Sequence, residues 1–216
     1  MKSYNSISHW NKGPFGQSTI AFDKIDGSNL RFEWGKKRGF YKFGTRNVMI
    51  TEKDENFGDA IPLFLNTHAD ELDRIFRKKY SNIDSVVVFG EYYGENSFSG
   101  QHVKTDQKKI IIFDISLYKK GIISPKEFVD NFGHISIPNI VYRGEYNMEF
   151  VNRVRNNEFK LSEGVVCKGT QKTKGNEIVW MVKIKTNEWL IKVREKLGAK
   201  ALADELNGDK YLIEQV

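Results

Sequence analysis

A lysine that follows a short apolar run is the first residue with the features of a reactive group. The run and its continuation read Phe22-Asp23-Lys24-Ile25-Asp26-Gly27-Ser28-Asn29. A lysine amine can attack an electrophile only when it is neutral, and burial, nearby cations or a bound metal favour that state. The same residues are also typical of a β-hairpin turn at Asp26-Gly27. Taken alone, the stretch supports either interpretation.

Four further stretches place acids, lysines and one aromatic residue at the ends or within β-like runs. In chain order they are Phe89-Gly90-Glu91, Phe113-Asp114, Glu163-Gly164-Val165-Val166-Cys167-Lys168 and Lys183-Ile184-Lys185. Phe89-Gly90-Glu91 ends a predicted strand with a carboxylate, and Lys183-Ile184-Lys185 directs two lysines to the same strand face. The order of these stretches along the chain weakens the hairpin interpretation of the first one.

This ordered series resembles the motifs of the covalent nucleotidyltransferases, which comprise ATP-dependent DNA and RNA ligases and mRNA-capping guanylyltransferases. Lys24-Ile25-Asp26-Gly27 looks like their motif I, and the four later stretches look like motifs III, IIIa, IV and V. The resemblance covers about Thr19 to Val193. One Lys-x-Asp-Gly is a weak signal, whereas five motifs in order are specific.

Within that superfamily the sequence is most similar to the RNA ligase 2-type enzymes of phage and to the RNA-editing ligases. DNA ligases and capping enzymes usually have arginine five positions after the nucleophile, where this chain has Asn29. Phe43-Gly44-Thr45-Arg46-Asn47 looks like motif Ia of the RNA ligases, and the run after Lys185 resembles the start of their following helix. The resemblance is compatible with a phage origin.

The resemblance implies a three-step reaction with ATP and Mg²⁺ or Mn²⁺. The lysine takes AMP from ATP, AMP passes to a 5′-phosphate end, and a 3′-hydroxyl displaces it to seal the strand. By motif position, Lys24 is the nucleophile, Phe113 stacks on adenine and Glu91 holds the ribose. The remaining assignments are Arg46, Lys183 and Lys185 on phosphates, Glu163 and Asp26 on the metal, and Asp26, Asn29 and Lys168 as further nucleotide contacts.

Each of these residues also has a structural interpretation. Phe113 suits an apolar core, and Lys183 with Lys185 suits a solvated strand face. Cys167 is expected to pack within its strand. His102 and His134 stand apart from other ligand types and are expected to be surface or core residues, not metal ligands.

Composition narrows the class of protein and its partners. The chain has 216 residues, a formal net charge of +6 and one cysteine. The charge favours a polyanionic partner, and the resemblance implies that this partner is RNA with 5′-phosphate and 3′-hydroxyl ends. The single cysteine argues against a disulfide framework and a Cys-based zinc site, and no apolar run approaches the roughly 20 residues of a membrane span. We therefore predict a soluble, cytoplasmic protein with no membrane partner.

Hydrophobic patterning predicts the elements that must position these groups. Strands are predicted at 19–22, 30–34, 39–43, 86–91, 110–116, 165–168 and 178–185, and helices at 67–80, 188–206 and after Ser124-Pro125. Strict alternation at 30–34 and 182–185 predicts that each strand buries one face and presents the other to a site or to solvent. Thr67 is a candidate N-cap, and Asn207-Gly208 is expected to end the last helix. The pattern indicates the α+β class with mostly antiparallel sheets flanked by a few helices. The resemblance implies that this is a ligase-type nucleotidyltransferase fold.

The domain prediction is a single nucleotidyltransferase domain over residues 1–216, without an OB-fold or a separate C-terminal domain. Because relatives use such additional domains to engage the nucleic acid, a protein partner is one way to supply that function here. The alternatives are a minimal DNA ligase, a GTP-using capping enzyme, or a catalytically idle nucleic-acid-binding domain of the same fold.

Overall fold

The computed structural model describes residues 1–95, 105–214 and 216, which form two compact units. One unit comprises Met1–Asn5 and Ile25–Pro138, and the other comprises Ser6–Lys24 and Asn139–Val216. The strands are β1 (Ser8–His9), β2 (Ser18–Asp23), β3 (Ser28–Gly35), β4 (Gly39–Thr45), β5 (Met49–Ile50), β6 (Ser85–Tyr93), β7 (Lys109–Leu117), β8 (Gly121–Ile122), β9 (Ile140–Glu145), β10 (Gly164–Thr173) and β11 (Asn176–Lys185). The helices are α1 (Ala60–Phe64), α2 (Asp70–Lys79), α3 (Pro125–Phe132), α4 (Met148–Arg155), α5 (Asn187–Glu205) and α6 (Lys210–Ile213), with a π-helical turn at Leu65–Ala69 and a 3₁₀ turn at Trp10–Lys12.

The unit that contains Ile25–Pro138 is built on an antiparallel sheet. Its strand order is β5-β4-β3-β6-β7-β8. Large aromatic residues form much of its core, and the rings of Phe32 and Phe64 stack with centroids 3.7 Å apart. In α2, Leu72, Ile75 and Phe76 are buried because this spacing places them on one helix face.

The unit that contains Asn139–Val216 has a second sheet, with strand order β1-β11-β10-β2-β9. All its pairs are antiparallel except β1 with β11, which is parallel. Val165, Val182 and Ile184 of the sheet share one hydrophobic core with residues of α4 and α5, such as Val154 and Leu190. This core fixes the strands that carry the lysines predicted from motif V.

The predicted α+β class with mostly antiparallel sheets is confirmed, and every predicted strand is present. The hairpin alternative at Asp26-Gly27 is wrong, because β2 pairs with β9 and β10 whereas β3 pairs with β4 and β6. The sequence patterns did not predict β9 or α4.

Strict alternation in β3 correctly predicted a buried apolar face, but the prediction that the opposite face is open was wrong. Arg31 is 6% exposed and Glu33 is 9% exposed, so the polar face is buried as well. The cause is that other parts of the unit cover these groups and supply a hydrogen-bond partner to each. Arg31 Nη1 donates to the Met1 carbonyl at 3.3 Å, and Tyr41 Oη donates to Glu33 at 2.7 Å.

The three predicted helices are present, with one correction at the N-terminus of the first. Thr67 is not an N-cap, because helical structure already begins at Ala60 and the Thr67 hydroxyl donates back to the Leu63 carbonyl at 2.7 Å. The N-cap of α5 is Thr186, whose hydroxyl accepts a hydrogen bond from the Trp189 backbone amide at 3.1 Å. The helix at Pro125–Phe132 is confirmed with Ser124 as its N-cap.

The long C-terminal helix is interrupted where no break was predicted. Gly198 has φ 88° and ψ 171°, which lies outside helical conformation, so the residues beyond it take a new direction. The helix ends before Asn207 and Gly208, both of positive φ, as the sequence predicted. Within the described ranges, no helix is both long and apolar enough to cross a membrane.

Candidate active site

Backbone hydrogen bonds at the end of β2 hold Lys24 in place. The Lys24 amide donates to the Gly164 carbonyl at 2.9 Å, and the preceding Asp23 amide donates to the Asn139 carbonyl at 2.8 Å. Gly164 has φ 154°, and a Cβ there would lie 2.1 Å from the Ile184 carbonyl oxygen. The Glu-Gly pair of motif IV therefore requires glycine at position 164, because any side chain would clash with the neighbouring strand.

Glu163 joins two lysines through one buried carboxylate. Its side chain is 2% exposed, and Lys24 Nζ donates to Oε2 at 2.9 Å. Its other oxygen, Oε1, accepts a hydrogen bond from Lys185 Nζ. The Thr186 amide also donates to the Glu163 carbonyl at 3.0 Å, which ties this residue to the end of β11. Lys24 is thus held beside a carboxylate and a second cation.

Lys183 and Lys185 lie two positions apart on β11 and therefore on one face of the strand. Their side chains are 15% and 4% exposed, so the alternative interpretation as a solvated strand face is wrong. Burial lowers the pKa of Lys183, and the positive charges of Lys185 and Lys24 lower it further. The positive charges of the three lysines therefore interact. Such a concentration of positive charge attracts a multiply charged anion.

Lys168 takes a different position on β10. It is 3% exposed, pairs across the sheet with Ile20 and Met181, and places its Nζ 5.2 Å from the centroid of the Phe22 ring. A cation over an aromatic face is a stabilising arrangement in its own right. A nucleotide contact by Lys168 remains a prediction.

Three residues of this unit were missed by sequence reasoning: Glu205, Asp23 and His9. Glu205 Oε1 lies 2.5 Å from Lys185 Nζ and 3.7 Å from Lys183 Nζ. Burial and the negative charge of Glu163 raise the pKa of Asp23. His9 pairs with Lys183 in the parallel register and is 6% exposed.

The local sequence gives only weak indications that Asp23 and Glu205 belong to the site. Asp23 adjoins the predicted nucleophile, and Glu205 has helical spacing with Leu202 and Leu206. Neither signal indicates a contact with lysines on a strand. Nothing in the local sequence marks His9.

In the other unit, Asn29 and Glu91 are paired residues on neighbouring strands. They face each other in the β3–β6 register, and Glu91 pairs in turn with Ile111 of β7. Gly27 precedes β3 where a Cβ would lie 2.6 Å from the Tyr92 carbonyl oxygen. The glycine of Lys-x-Asp-Gly thus lets the chain pass against the end of β6, and it brings Asn29 level with Glu91.

A β-bulge sets the position of Phe113. Phe89 pairs with Asp114 and Gly90 pairs with Ile112, so Phe113 is the additional residue on β7. A bulge of this kind redirects the side chain of the extra residue. Phe113 is half-buried and makes an edge contact with Tyr4, with ring centroids 5.1 Å apart. The alternative interpretation of Phe113 as a core residue is met only in part, because its side chain is half-buried.

Tyr4 and Asp114 form the buried support behind this bulge. The Tyr4 hydroxyl donates to the Asp114 carboxyl, and Asp114 is 1% exposed. Burial and the charge of Asp114 raise the pKa of Tyr4, whereas the Arg46 guanidinium opposes that rise. Arg46 itself is exposed after the end of β4, and its carbonyl accepts from Ser3 Oγ at 2.6 Å.

The predicted residues therefore fall into two groups, one in each unit. Lys24, Glu163, Lys183 and Lys185 form one connected cluster of charges, which also contains Glu205. Asn29, Arg46, Glu91 and Phe113 lie on the sheet or at strand ends of the other unit, and Asp26 lies in the segment that precedes β3.

The other chemically notable residues have structural surroundings. Cys167 is a fully buried free thiol whose pKa is raised by burial, which confirms that it packs in its strand. His134 is exposed beside Glu71, with Nε2 and Oε1 2.7 Å apart. His102 lies outside the described residues. In the described ranges, no three or more His, Cys, Asp or Glu side chains gather as a metal cluster.

Comparison with solved structures finds the same fold in RNA ligases. A Naegleria gruberi RNA ligase with PPi superposes with a TM-score of 0.63 at 18% identity, covering 91% of this chain and 59% of that one. A variant of the same ligase with ATP and Mn gives 0.62 at 17% identity, with 90% and 59% coverage. An archaeal ATP-dependent RNA ligase gives 0.61 at 14% identity, with 100% and 61% coverage. The chain thus spans about three-fifths of the length of these proteins.

A search of curated protein sequences gave no match. The model of the family described as RNA ligase matches residues 17–185, which is most of the 216-residue chain. That range contains the Lys24–Glu163–Lys185 network and every other residue predicted from the motifs. The chain belongs to the RNA ligase family.

Proposed function

We propose that this protein is an ATP-dependent RNA ligase that forms a covalent lysyl-AMP intermediate at Lys24. AMP is then transferred to a 5′-phosphate end, and a 3′-hydroxyl displaces it to seal the strand. The observation that carries the proposal is the position of Lys24 Nζ, 2.9 Å from the buried Glu163 carboxylate and in one charge cluster with Lys183 and Lys185. Membership in the RNA ligase family supports the substrate class.

The chemistry follows from the charges around Lys24. In the first step the Nζ–phosphorus bond forms at the α-phosphate of ATP and the bond to pyrophosphate breaks. Lys24 must lose a proton before it attacks, and Glu163 Oε2 is the acceptor that already holds its hydrogen bond. Lys183 and Lys185 are suited to bind the phosphate oxygens, because fixed cations stabilise the charge that develops on the leaving pyrophosphate.

Residues of the other unit are proposed to recognise the nucleoside. The bulge in β7 leaves the aromatic ring of Phe113 half-buried. Adenine is a planar ring that stacks on aromatic side chains, so Phe113 is proposed to stack on it. Glu91 is proposed to accept from the ribose hydroxyls, and Arg46 to bind phosphate. Asn29, which is level with Glu91, is proposed to contact the nucleotide or the strand end.

The donor set near Lys24 suits a magnesium or manganese ion bound mainly through substrate. Glu163 is a single buried carboxylate, and Mg²⁺ in nucleotide sites is commonly held by one or two carboxylates with water and phosphates completing the shell. We propose that Glu163 holds the ion through water, with Asp26 as a second candidate. Bound there, the ion would withdraw charge from the phosphates.

Incubation of the purified chain with α-labelled ATP and Mg²⁺ tests the proposal. We expect a label that remains on the protein under denaturing conditions, that is lost in Lys24→Ala and that persists in Lys172→Ala. Lys172 is an exposed lysine of β10 and serves as a matched control. Absence of label from any nucleoside triphosphate would contradict the proposal and favour an idle nucleic-acid-binding domain.

Substrate choice needs a second experiment with nicked duplexes. We expect ATP to label better than GTP, and nicked RNA to be sealed in preference to nicked DNA. Label from GTP alone would indicate a capping-type enzyme, and sealing of DNA alone would indicate a DNA ligase. Efficient labelling without sealing would indicate that a partner protein supplies strand binding.

A further inference from the structure

Glu205 is brought to the lysines of β11 by a segment that lies beyond the break in α5. Gly198 adopts φ 88° and ψ 171°, and the helix resumes after it. Leu202 and Leu206 are 3% and 2% exposed and belong to the same hydrophobic core as Val182 and Ile184 of β11. Glu205 has helical spacing with these two leucines, so their burial carries its carboxylate towards the sheet.

The contacts of Glu205 are with both lysines predicted to bind phosphate. Its Oε1 lies 2.5 Å from Lys185 Nζ and 3.7 Å from Lys183 Nζ. The Lys185 side chain is 4% exposed, and it also donates to Glu163. An ammonium group has three N–H donors, so these two carboxylates of the described residues leave Lys185 one donor for a further acceptor.

Charge explains why the lysines need this carboxylate. The cluster contains three ammonium groups, Lys24, Lys183 and Lys185, and two carboxylates, Glu163 and Glu205. His9 adds no positive charge near neutral pH, because burial and Lys183 lower its pKa to about 4. Glu163 contacts Lys24 and Lys185, which leaves Glu205 as the carboxylate beside Lys183 in the described part of the chain.

We propose that Glu205 is a positioning residue that holds Lys183 and Lys185 side by side for the phosphates of the nucleotide. The proposal deepens the function proposed above and rests on it for the identity of the ligand. It makes the segment beyond Gly198 a part of the site, although the family match ends at residue 185. Without Glu205, the two lysines repel each other across a buried face and lose their shared orientation.

A carboxylate beside two lysines has a second possible role, which is competition with an anionic ligand. Glu205 could instead occupy the space of a phosphate and compete with the ligand, in which case its removal would tighten binding. The remaining donor on Lys185 and the 3.7 Å separation from Lys183 favour positioning, because both lysines keep N–H groups for an incoming anion. The sign of the effect on anion affinity distinguishes the two roles.

The experiment measures binding of inorganic pyrophosphate to the full chain by calorimetry, at fixed pH and salt. We expect Glu205→Gln to weaken binding about tenfold, as for loss of a charged hydrogen bond that orients the donors. Glu205→Asp, which keeps the charge on a shorter side chain, should recover part of the affinity. Glu195→Gln, on an exposed position of the same helix, is the matched control and should bind as the wild type does.

Unchanged or tighter pyrophosphate binding by Glu205→Gln would overturn the proposal. Circular dichroism and thermal unfolding establish that each variant is folded at the assay temperature. If Glu205→Gln does not fold, the comparison passes to Glu205→Asp, which must bind more weakly than the wild type. Wild-type affinity in that variant would likewise refute the positioning role.

The same variants separate this proposal from the ligase proposal. Pyrophosphate binding requires no covalent chemistry, whereas lysyl-AMP formation is read from α-labelled ATP. Label in the wild type with no effect of Glu205→Gln on pyrophosphate binding removes the positioning role alone. Weakened pyrophosphate binding with no label in the wild type removes the ligase proposal alone and leaves Glu205 in an anion site.

Discussion

Lys24 and Glu163 are joined by a hydrogen bond of 2.9 Å, although 139 residues of sequence separate them. The Lys24 side chain is 25% exposed and that of Glu163 is 2% exposed. The lysine can therefore be reached by a substrate, whereas the carboxylate cannot exchange its protein partners for bulk water. This asymmetry gives the first prediction.

Glu163→Gln should reduce both stability and lysyl-AMP formation. The amide cannot balance the charge of Lys185, whose side chain is 4% exposed, and loss of one partner of a buried ion pair costs about 3 kcal/mol. Urea unfolding followed by tryptophan fluorescence measures the loss. Glu177→Gln, at an exposed position of β11, is the control and should unfold as the wild type does. Equal midpoints for Glu163→Gln and the control would contradict the prediction.

His9 should make the stability depend on pH. Burial and the charge of Lys183 lower its pKa from 6.5 to about 4. The unfolded chain then binds the proton more tightly than the folded chain, so stability is complete above about pH 6.5 and falls as the pH is lowered towards 4. Between pH 7 and pH 5 we expect a loss of about 2 kcal/mol from this residue.

Urea unfolding of the wild type and His9→Gln at both pH values checks this expectation. His68, whose pKa is also lowered by burial, contributes alike to both proteins, so the difference isolates His9. An identical loss of stability in His9→Gln and the wild type would show that His9 is not held neutral.

The sequence predicted much of this fold because short-range patterns reflect what each strand buries. The run at 165–168 and the run at 178–185 became β10 and β11, and their turn residues Lys174 and Gly175 have positive φ. Alternation failed at Arg31 and Glu33, where the Met1 carbonyl and Tyr41 cover the second face. Burial of a strand face by segments that are remote in sequence cannot be predicted from the residues of that strand alone.

Only the site residues that belong to an ordered series of motifs could be predicted from the sequence. Lys24, Glu163 and Lys185 were identified in this way, and the structure brings them together. Glu205 was missed because its contact with β11 depends on the break at Gly198, and helical periodicity alone does not reveal a change of direction. The role of each residue in the site remains a prediction.

Tyr4→Phe should destabilise the unit that contains Phe113 without removing the edge contact between the two rings. Tyr4 and Asp114 are 5% and 1% exposed, so the substitution removes a donor from a buried carboxyl. Loss of a hydrogen bond to such a group costs about 2 kcal/mol. Thermal or urea unfolding measures it, with Tyr118→Phe as a control because Tyr118 is 57% exposed. A stability equal to that of the control would contradict a structural role for this hydrogen bond.

Gly198→Ala should reproduce the functional effect of losing Glu205 while leaving every charged residue in place. A residue with a side chain is strained at φ 88° and ψ 171°, at a cost of about 2 kcal/mol, so the break in α5 either relaxes or lowers the stability of the unit. Relaxation would move Glu205 away from Lys183 and Lys185, because the direction of the chain after residue 198 depends on this conformation. We therefore expect weaker pyrophosphate binding, measured by calorimetry.

The control for that variant is Gly175→Ala in the turn between β10 and β11. Gly175 has φ +84°, and a Cβ there meets no atom within 4 Å, so the substitution introduces backbone strain at a positive φ without a steric clash. Its expected result is lower stability with unchanged pyrophosphate affinity. If Gly198→Ala is folded and binds pyrophosphate as the wild type does, the segment reaches the lysines without this conformation. Weaker binding in Gly198→Ala alone ties the break in the helix to the lysines through Glu205.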